Sequence, residues 1–221
     1  MESWAVVQYD NRPLNKSLEL LVQKNKEYCA KHNYKYIFET KEYNLPPYWI
    51  KVKLAQDLLK KYKGVFWLDS DAVIQDSVPF TALVKEGRSF YYCKDAPKFP
   101  SKFNAGVWLV LNDTTGRSLL DDWLKSYDKT KWHRFPDGKW VSSGNWSGET
   151  YEQGAFIKFI EPKYRKSLYK YNWRKFQSVE INKEAFTLHF AGEYEEENLP
   201  AYIKTLKAKP KKTRTRKSKR Q

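Results

Sequence analysis

Two carboxylates one residue apart, Asp69-Ser70-Asp71, stand directly after the apolar run Val65-Phe66-Trp67-Leu68. Four bulky apolar residues in succession read as a buried strand of a parallel sheet. In open α/β sheets ligands bind beyond the carboxyl ends of such strands, so these carboxylates are expected to face a crevice. In an extended segment residues i and i+2 lie on one side, roughly 6.5 to 7 Å apart. Asp69 and Asp71 can then share one hard cation through oxygen, while Ser70 faces the other way and is free to bond something else. By itself an Asp-x-Asp is equally a polar turn.

The elements around this string give it context. Trp4 to Val7 reads as a first strand that empties into Gln8-Tyr9-Asp10-Asn11-Arg12-Pro13. In a nucleotide-binding sheet this first loop holds base and ribose: Tyr9 can stack, Asp10 can accept from ribose or base, and Arg12 can approach phosphate. A polar turn with Pro13 opening a helix is the plainer reading of the same residues. Leu14, Leu18, Leu21, Val22 and Tyr28 recur at helical spacing, Tyr34 to Thr40 is a second strand, and Val52, Ala55, Leu58, Leu59 and Tyr62 form a second helix that Gly64 ends. The resulting β-α-β-α-β order predicts a doubly wound, mostly parallel sheet with flanking helices. Lys51 and Lys53 open the second helix, either as a solvated face or leaning toward a diphosphate. Further on, Val78 to Lys85 reads as a short helix and Ser89 to Cys93 as a strand. Phe103-Asn104-Ala105-Gly106-Val107 places small residues before an apolar strand, letting a ligand approach the backbone. A helix is expected from Thr114 to Tyr127, with Asp121-Asp122 on its solvent face. Residues 129–148 lack periodicity and carry Trp132, Trp140 and Trp146, as a lid or acceptor platform would.

Size and charge narrow the function classes. A chain of 221 residues suits one α/β domain with a tail, divided here at 1–206 and 207–221. Aromatics reach 17%, with nine Trp and sixteen Tyr, suited in part to stacking on flat or sugar-like ligands. The net charge is +15, but residues 204–221 hold ten Lys or Arg and no acid, which leaves +5 for the rest. That block is expected to be a solvated tail or a linker to further domains, with nucleic-acid binding through the tail as the competing reading. Cys29 and Cys93 offer neither a disulfide framework nor metal-ligand spacing. No segment reads as a signal peptide or membrane span, so a cytoplasmic protein, viral or bacterial in setting, is expected.

Four pieces in order carry a family resemblance: the strand ending in Asp69-Ser70-Asp71, then Phe103-Asn104-Ala105-Gly106-Val107, Glu152-Gln153-Gly154 and His189-Phe190-Ala191-Gly192. Together they resemble the GT-A glycosyltransferases, specifically the galactosyl, xylosyl and mannosyl transferase family (family 34), with glycogenin-like enzymes more distant. The resemblance implies a nucleotide-sugar donor, UDP-sugar by analogy, and a carbohydrate or glycoprotein acceptor. It implies a divalent cation, Mn²⁺ or Mg²⁺, on Asp69, Asp71 and His189. By the same analogy Asn104, Ala105 and Gly106 line the donor sugar, Asp95 binds sugar hydroxyls, and Glu152 and Gln153 flank the anomeric carbon of a retaining enzyme. Gln8, Ser70, Lys51 and Gly192 complete the donor set.

The chain departs from that pattern twice. Where relatives place a lysine five or six residues after the metal histidine to hold the pyrophosphate, Gly192 is followed here by Glu193-Tyr194-Glu195-Glu196-Glu197. Lys51, Lys53 and Arg12 are candidates to replace it. Glu152 also stands where Asp is commoner before the Gln. Asp69-Ser70-Asp71-Ala72-Val73 also resembles the first motif of haloacid-dehalogenase-type phosphatases, with Asp69 as nucleophile and Asp71 as general acid.

Overall fold

The computed structural model describes residues 3–97, 99 and 101–207. It opens in the expected order: β1 (Ala5–Tyr9), α1 (Lys16–Lys31), β2 (Lys35–Glu39), α2 (Pro47–Leu59) and β3 (Gly64–Leu68). Asn15 caps α1, its side chain accepting from Ser17 N at 2.9 Å and Leu18 N at 3.0 Å. Gly64 does not end α2; it is the first residue of β3, where an added Cβ would meet the Trp4 ring at 2.4 Å. Close packing, and not a helix stop, requires glycine there.

After β3 come β4 (Ala72–Ile74), a 3₁₀ turn (Phe80–Leu83) where a short helix was expected, β5 (Phe90–Cys93), β6 (Val107–Leu111) and α3 (Thr114–Lys125). Within 129–148, β7 (Trp132–Arg134) and β8 (Trp140–Ser142) pair as a hairpin. Beyond it lie α4 (Glu152–Ala155), a π-helical turn (Phe156–Ile160), α5 (Glu161–Tyr164), β9 (Leu168–Tyr171), α6 (Trp173–Phe176), β10 (Gln177–Ser178), β11 (Thr187–His189) and α7 (Glu193–Lys207). The acidic run after Gly192 is thus the first turn of α7, where carboxylates suit the helix dipole. The expected tail lies outside the described residues beyond Lys207.

The central sheet has the order β2-β1-β3-β6-β5-β9. It is mostly parallel, but β6 runs antiparallel to both β3 and β5. That reversal sets Val107, at the start of β6, beside Leu68, at the end of β3. The second sheet, β10-β11-β4, pairs His189 with Ala72 in antiparallel register. Two strand pairings therefore carry residues 104–106 and His189 to Asp69-Ser70-Asp71.

Most of the aromatic surplus is core. Trp49, Trp108, Trp123, Phe90 and Phe156 fill one face of the sheet with α2 and α3, and Phe66, Phe80, Tyr91 and Phe176 the other. No helix of the described residues is long and apolar enough to cross a membrane.

Candidate active site

Asp69 to Asp71 is not extended but a turn, closed by Ala72 N donating to Asp69 O at 2.9 Å. A buried amide network fixes it. Gln8 Nε2 donates to Asp69 O (2.9 Å), Asn25 Nδ2 to Ala72 O (2.9 Å) and to Gln8 Oε1 (3.0 Å), and Asn25 Oδ1 accepts from Ile74 N (2.8 Å). Both amides are fully buried, so Gln8 is placed as a brace for the turn, away from the crevice. Ser70 Oγ donates to Asp10 Oδ2 at 2.8 Å, tying the turn to the first loop. Asp10 also accepts from Arg12 N, Nε and Nη2 at 3.0, 2.9 and 2.8 Å. Burial alone would raise the Asp10 carboxyl, but the bonds from Arg12 and Ser70 outweigh it and hold the group below the usual carboxylate range.

Lys51 is not on a solvated face. Wholly inside, its Nζ reaches Asp69 Oδ1 (2.8 Å), Asp69 Oδ2 (3.0 Å) and Ala105 O (3.1 Å), with Glu152 Oε1 at 3.6 Å. Burial lowers its tendency to hold a proton, and Asp69 and Glu152 more than restore it. Trp67 Nε1 adds a bond to Asp69 Oδ1 at 2.7 Å. Lys53 pairs with Asp57 on the helix exterior.

Asp69, Asp71 and His189 each offer one ligand atom, all within 4.8 Å of one another. His189 Nε2 lies 3.1 Å from Asp71 Oδ1. Among the described residues that oxygen, although buried, has no hydrogen-bond partner of acceptable geometry. A buried carboxylate oxygen whose near neighbour is one imidazole, set outside good hydrogen-bond geometry, would gain from a cation, and an oxygen-plus-nitrogen donor set suits Mn²⁺. The residues therefore fit the group. Burial opposes charge on both partners, yet their mutual attraction holds Asp71 low and His189 high. Gly106 is packed against the imidazole so closely that an added Cβ would lie 2.0 Å from His189 Cε1.

The residues expected near the donor sugar sit one layer behind. Asn104 is occupied, donating to Asp95 Oδ1 at 3.0 Å and accepting from Gly106 N at 2.9 Å. Burial raises Asp95 despite that bond. Glu152 and Gln153 open α4, both buried. Burial foremost, then Asp69, pushes Glu152 up to about 7 against the pull of Lys51. Its Oε2 is buried with no hydrogen-bond partner among the described residues. Gly192 takes a left-handed backbone, φ +58°, at the foot of α7.

A cleft of 830 Å³ gathers Tyr9, Asp10, Arg12, Lys51, Asp69, Ser70 and Asp71 with Trp140 from the hairpin. Tyr9 presents little free face, being 9% exposed and edge-on to Tyr43. Trp132 is buried, donating from Nε1 to Thr150 O at 3.2 Å and packing on Tyr48 and Tyr151. Trp146 is 61% exposed and also leans on Tyr48 and Tyr151. Of the three tryptophans, only Trp140 lines the cleft.

Residues 5–80 match the galactosyl transferase GMA12/MNN10 family. An α-1,2-galactosyltransferase of Schizosaccharomyces pombe is 33% identical over 76 residues, which is 30% of this chain and 20% of that relative's own length. Among solved structures, a glycosyltransferase involved in glycosylation of the major capsid of PBCV-1 superposes with a TM-score of 0.68 at 16% identity, over 90% of this chain and 99% of that one. This chain has the GT-A glycosyltransferase fold. The glycosyltransferase GlyE of Streptococcus pneumoniae shares it at a TM-score of 0.51 and 12% identity, over 95% of this chain and 65% of that one. The family match contains only the first of the four motifs; the GT-A architecture brings the other three to it.

The phosphatase reading of Asp69-Ser70-Asp71 calls for further acids after a later strand, and the Asp121-Asp122 pair does not supply them. Asp121 accepts from Gln56 Nε2 and Asp122 from Lys163 and Tyr164, and neither lines the cleft. Lys51, Asn25 and Gln177, the last bonded to His189 Nδ1, are the site residues whose parts the sequence understated or missed. For Lys51 a signal was present: it precedes Ala55 by four residues and so shares the inward face of α2. For Gln177 there was none, because β10 is two residues long.

Proposed function

We propose that this chain is a glycosyltransferase that draws its sugar from a nucleoside-diphosphate-sugar, a UDP-sugar by family analogy, and delivers it to a hydroxyl of a glycan or glycoprotein. The observation that carries this reading is the convergence of Asp69 and Asp71, on the cleft wall, with the buried His189, whose Nε2 is 3.1 Å from Asp71 Oδ1. These three would hold Mn²⁺ or Mg²⁺, which when bound offsets the charge on the leaving diphosphate.

The chain's own residues supply the rest. Arg12 stands in for the family's lysine: Asp10 fixes its guanidinium through two parallel bonds, and it stays 76% exposed on the cleft wall. Lys51 is committed to Asp69 and Ala105, and Lys53 faces outward, so neither competes for that part. A guanidinium already oriented loses little freedom in binding a diphosphate. Lys51 orients the Asp69 carboxylate. By family analogy the buried Glu152 and Gln153 would border the anomeric side of a retaining transfer from behind Lys51 and Asp69, with Trp140 on the cleft wall stacking on the acceptor.

The test is thermal unfolding in the presence of UDP-, GDP- and dTDP-sugars, each with and without Mn²⁺. Stabilisation should need nucleotide-sugar and cation together, and Asp71→Ala should abolish the cation-dependent part. Stabilisation indifferent to Mn²⁺, or unchanged in Asp71→Ala, would sink the reading.

A further inference from the structure

His189 is held from behind by Gln177. β10 runs parallel to β11 with Gln177 opposite Thr187. The Gln177 amide nitrogen lies 2.8 Å from His189 Nδ1, while its oxygen accepts from Cys93 Sγ at 3.8 Å. Gln177 is 2% exposed and His189 3%, so bulk water does not reach this contact.

In this arrangement the amide N–H faces Nδ1, so that a neutral imidazole carries its proton on Nε2, on the Asp71 side. A cation taken on Nε2 needs the lone pair there. The proton must then sit on Nδ1, and a buried N–H requires an acceptor. We infer that Gln177 is the positioning residue of His189, its amide turning over when a divalent cation enters so that Oε1 accepts from Nδ1–H. After the turn the amide N–H faces Cys93 Sγ, a weak acceptor. An amide can serve both states of the ring, whereas a carboxylate can serve only the one with the proton on Nδ1. This inference rests on the proposed cation site.

Mn²⁺ is titrated calorimetrically into the full chain as wild type, Asp71→Ala, Gln177→Leu and Gln177→Glu, with urea unfolding of each metal-free protein alongside. Gln177→Leu should weaken Mn²⁺ roughly 10- to 100-fold, and Gln177→Glu, whose carboxylate accepts from Nδ1–H without turning, should stay within about threefold of wild type. Wild-type affinity in Gln177→Leu, or a loss in Gln177→Glu as large as in Gln177→Leu, overturns the role of Gln177 and leaves the site standing. Absence of Mn²⁺ binding by the wild type sinks the site itself and this inference with it. A measurement that needs no variant is the imidazole ¹⁵N spectrum with diamagnetic Cd²⁺ bound. The ring proton belongs on Nδ1, and finding it on Nε2 overturns the inference.

Discussion

Single atoms decide whether the site can form. Gly106 meets the His189 ring with no room for a methyl group, its hypothetical Cβ falling 2.0 Å from Cε1. Gly106→Ala must displace the imidazole from its present place. We expect a loss of about 1 to 3 kcal/mol in urea unfolding, together with failure of Mn²⁺ binding in calorimetry. Arg12 is the opposite case, since its guanidinium is outside the core. Arg12→Ala should leave Mn²⁺ affinity unchanged and weaken UDP-sugar by about 1.5 to 3 kcal/mol, the range for a hydrogen bond to a charged group. Arg12→Lys should recover only part, because an ammonium cannot reproduce the bidentate hold of Asp10. Equal UDP-sugar affinity in wild type and Arg12→Ala would place the diphosphate elsewhere.

At the scale of elements, α2 carries the cation that the carboxylates share. Lys51 Nζ sits between Asp69 and Glu152, so Lys51→Met leaves the buried Glu152 and the half-buried Asp69 without their counter-charge. Breaking such a pair from one side typically costs about 3 to 5 kcal/mol. We expect that loss in urea unfolding of the metal-free protein at pH 8, and partial recovery on adding Mn²⁺, which would neutralise Asp69 in place of the lysine. The hairpin β7–β8 has another kind of part. It puts Arg134 and Trp140 on the cleft wall, and Arg134 pairs with Glu42 across the mouth. Its strands of three residues each, broken by Pro136 and Gly138, left no alternation for the sequence to show.

The whole molecule should be less stable at alkaline than at mildly acid pH when no cation is present. Glu152 binds its proton more tightly folded than unfolded, at about 7 against 4.5. The unfolded chain therefore releases that proton first as pH rises. Stability is full below about 4.5, falls through the window up to 7, and is then lower by about 3 kcal/mol. His189, also raised when folded, acts in the same direction. Thermal unfolding at pH 5 and pH 8 should show the drop, and Glu152→Gln should shrink it. A profile as steep in Glu152→Gln as in the wild type would mean that this carboxyl does not titrate in that window.

The alternation of strands and helices and the buried strand ending in Asp69-Ser70-Asp71 were legible in the chain, because local periodicity and residue type are recorded there directly, whereas His189 entered only through the family resemblance. What the tertiary structure decided was who meets whom. The antiparallel insertion of β6 and the β4–β11 register bring residues 104–106 and 189 to the turn at 69–71, and no periodicity encodes the pairing of distant strands. The interior positions of Gln8 and Asn25 were hidden for a related reason. A polar side chain reads as surface until the fold supplies the partners that offset its burial.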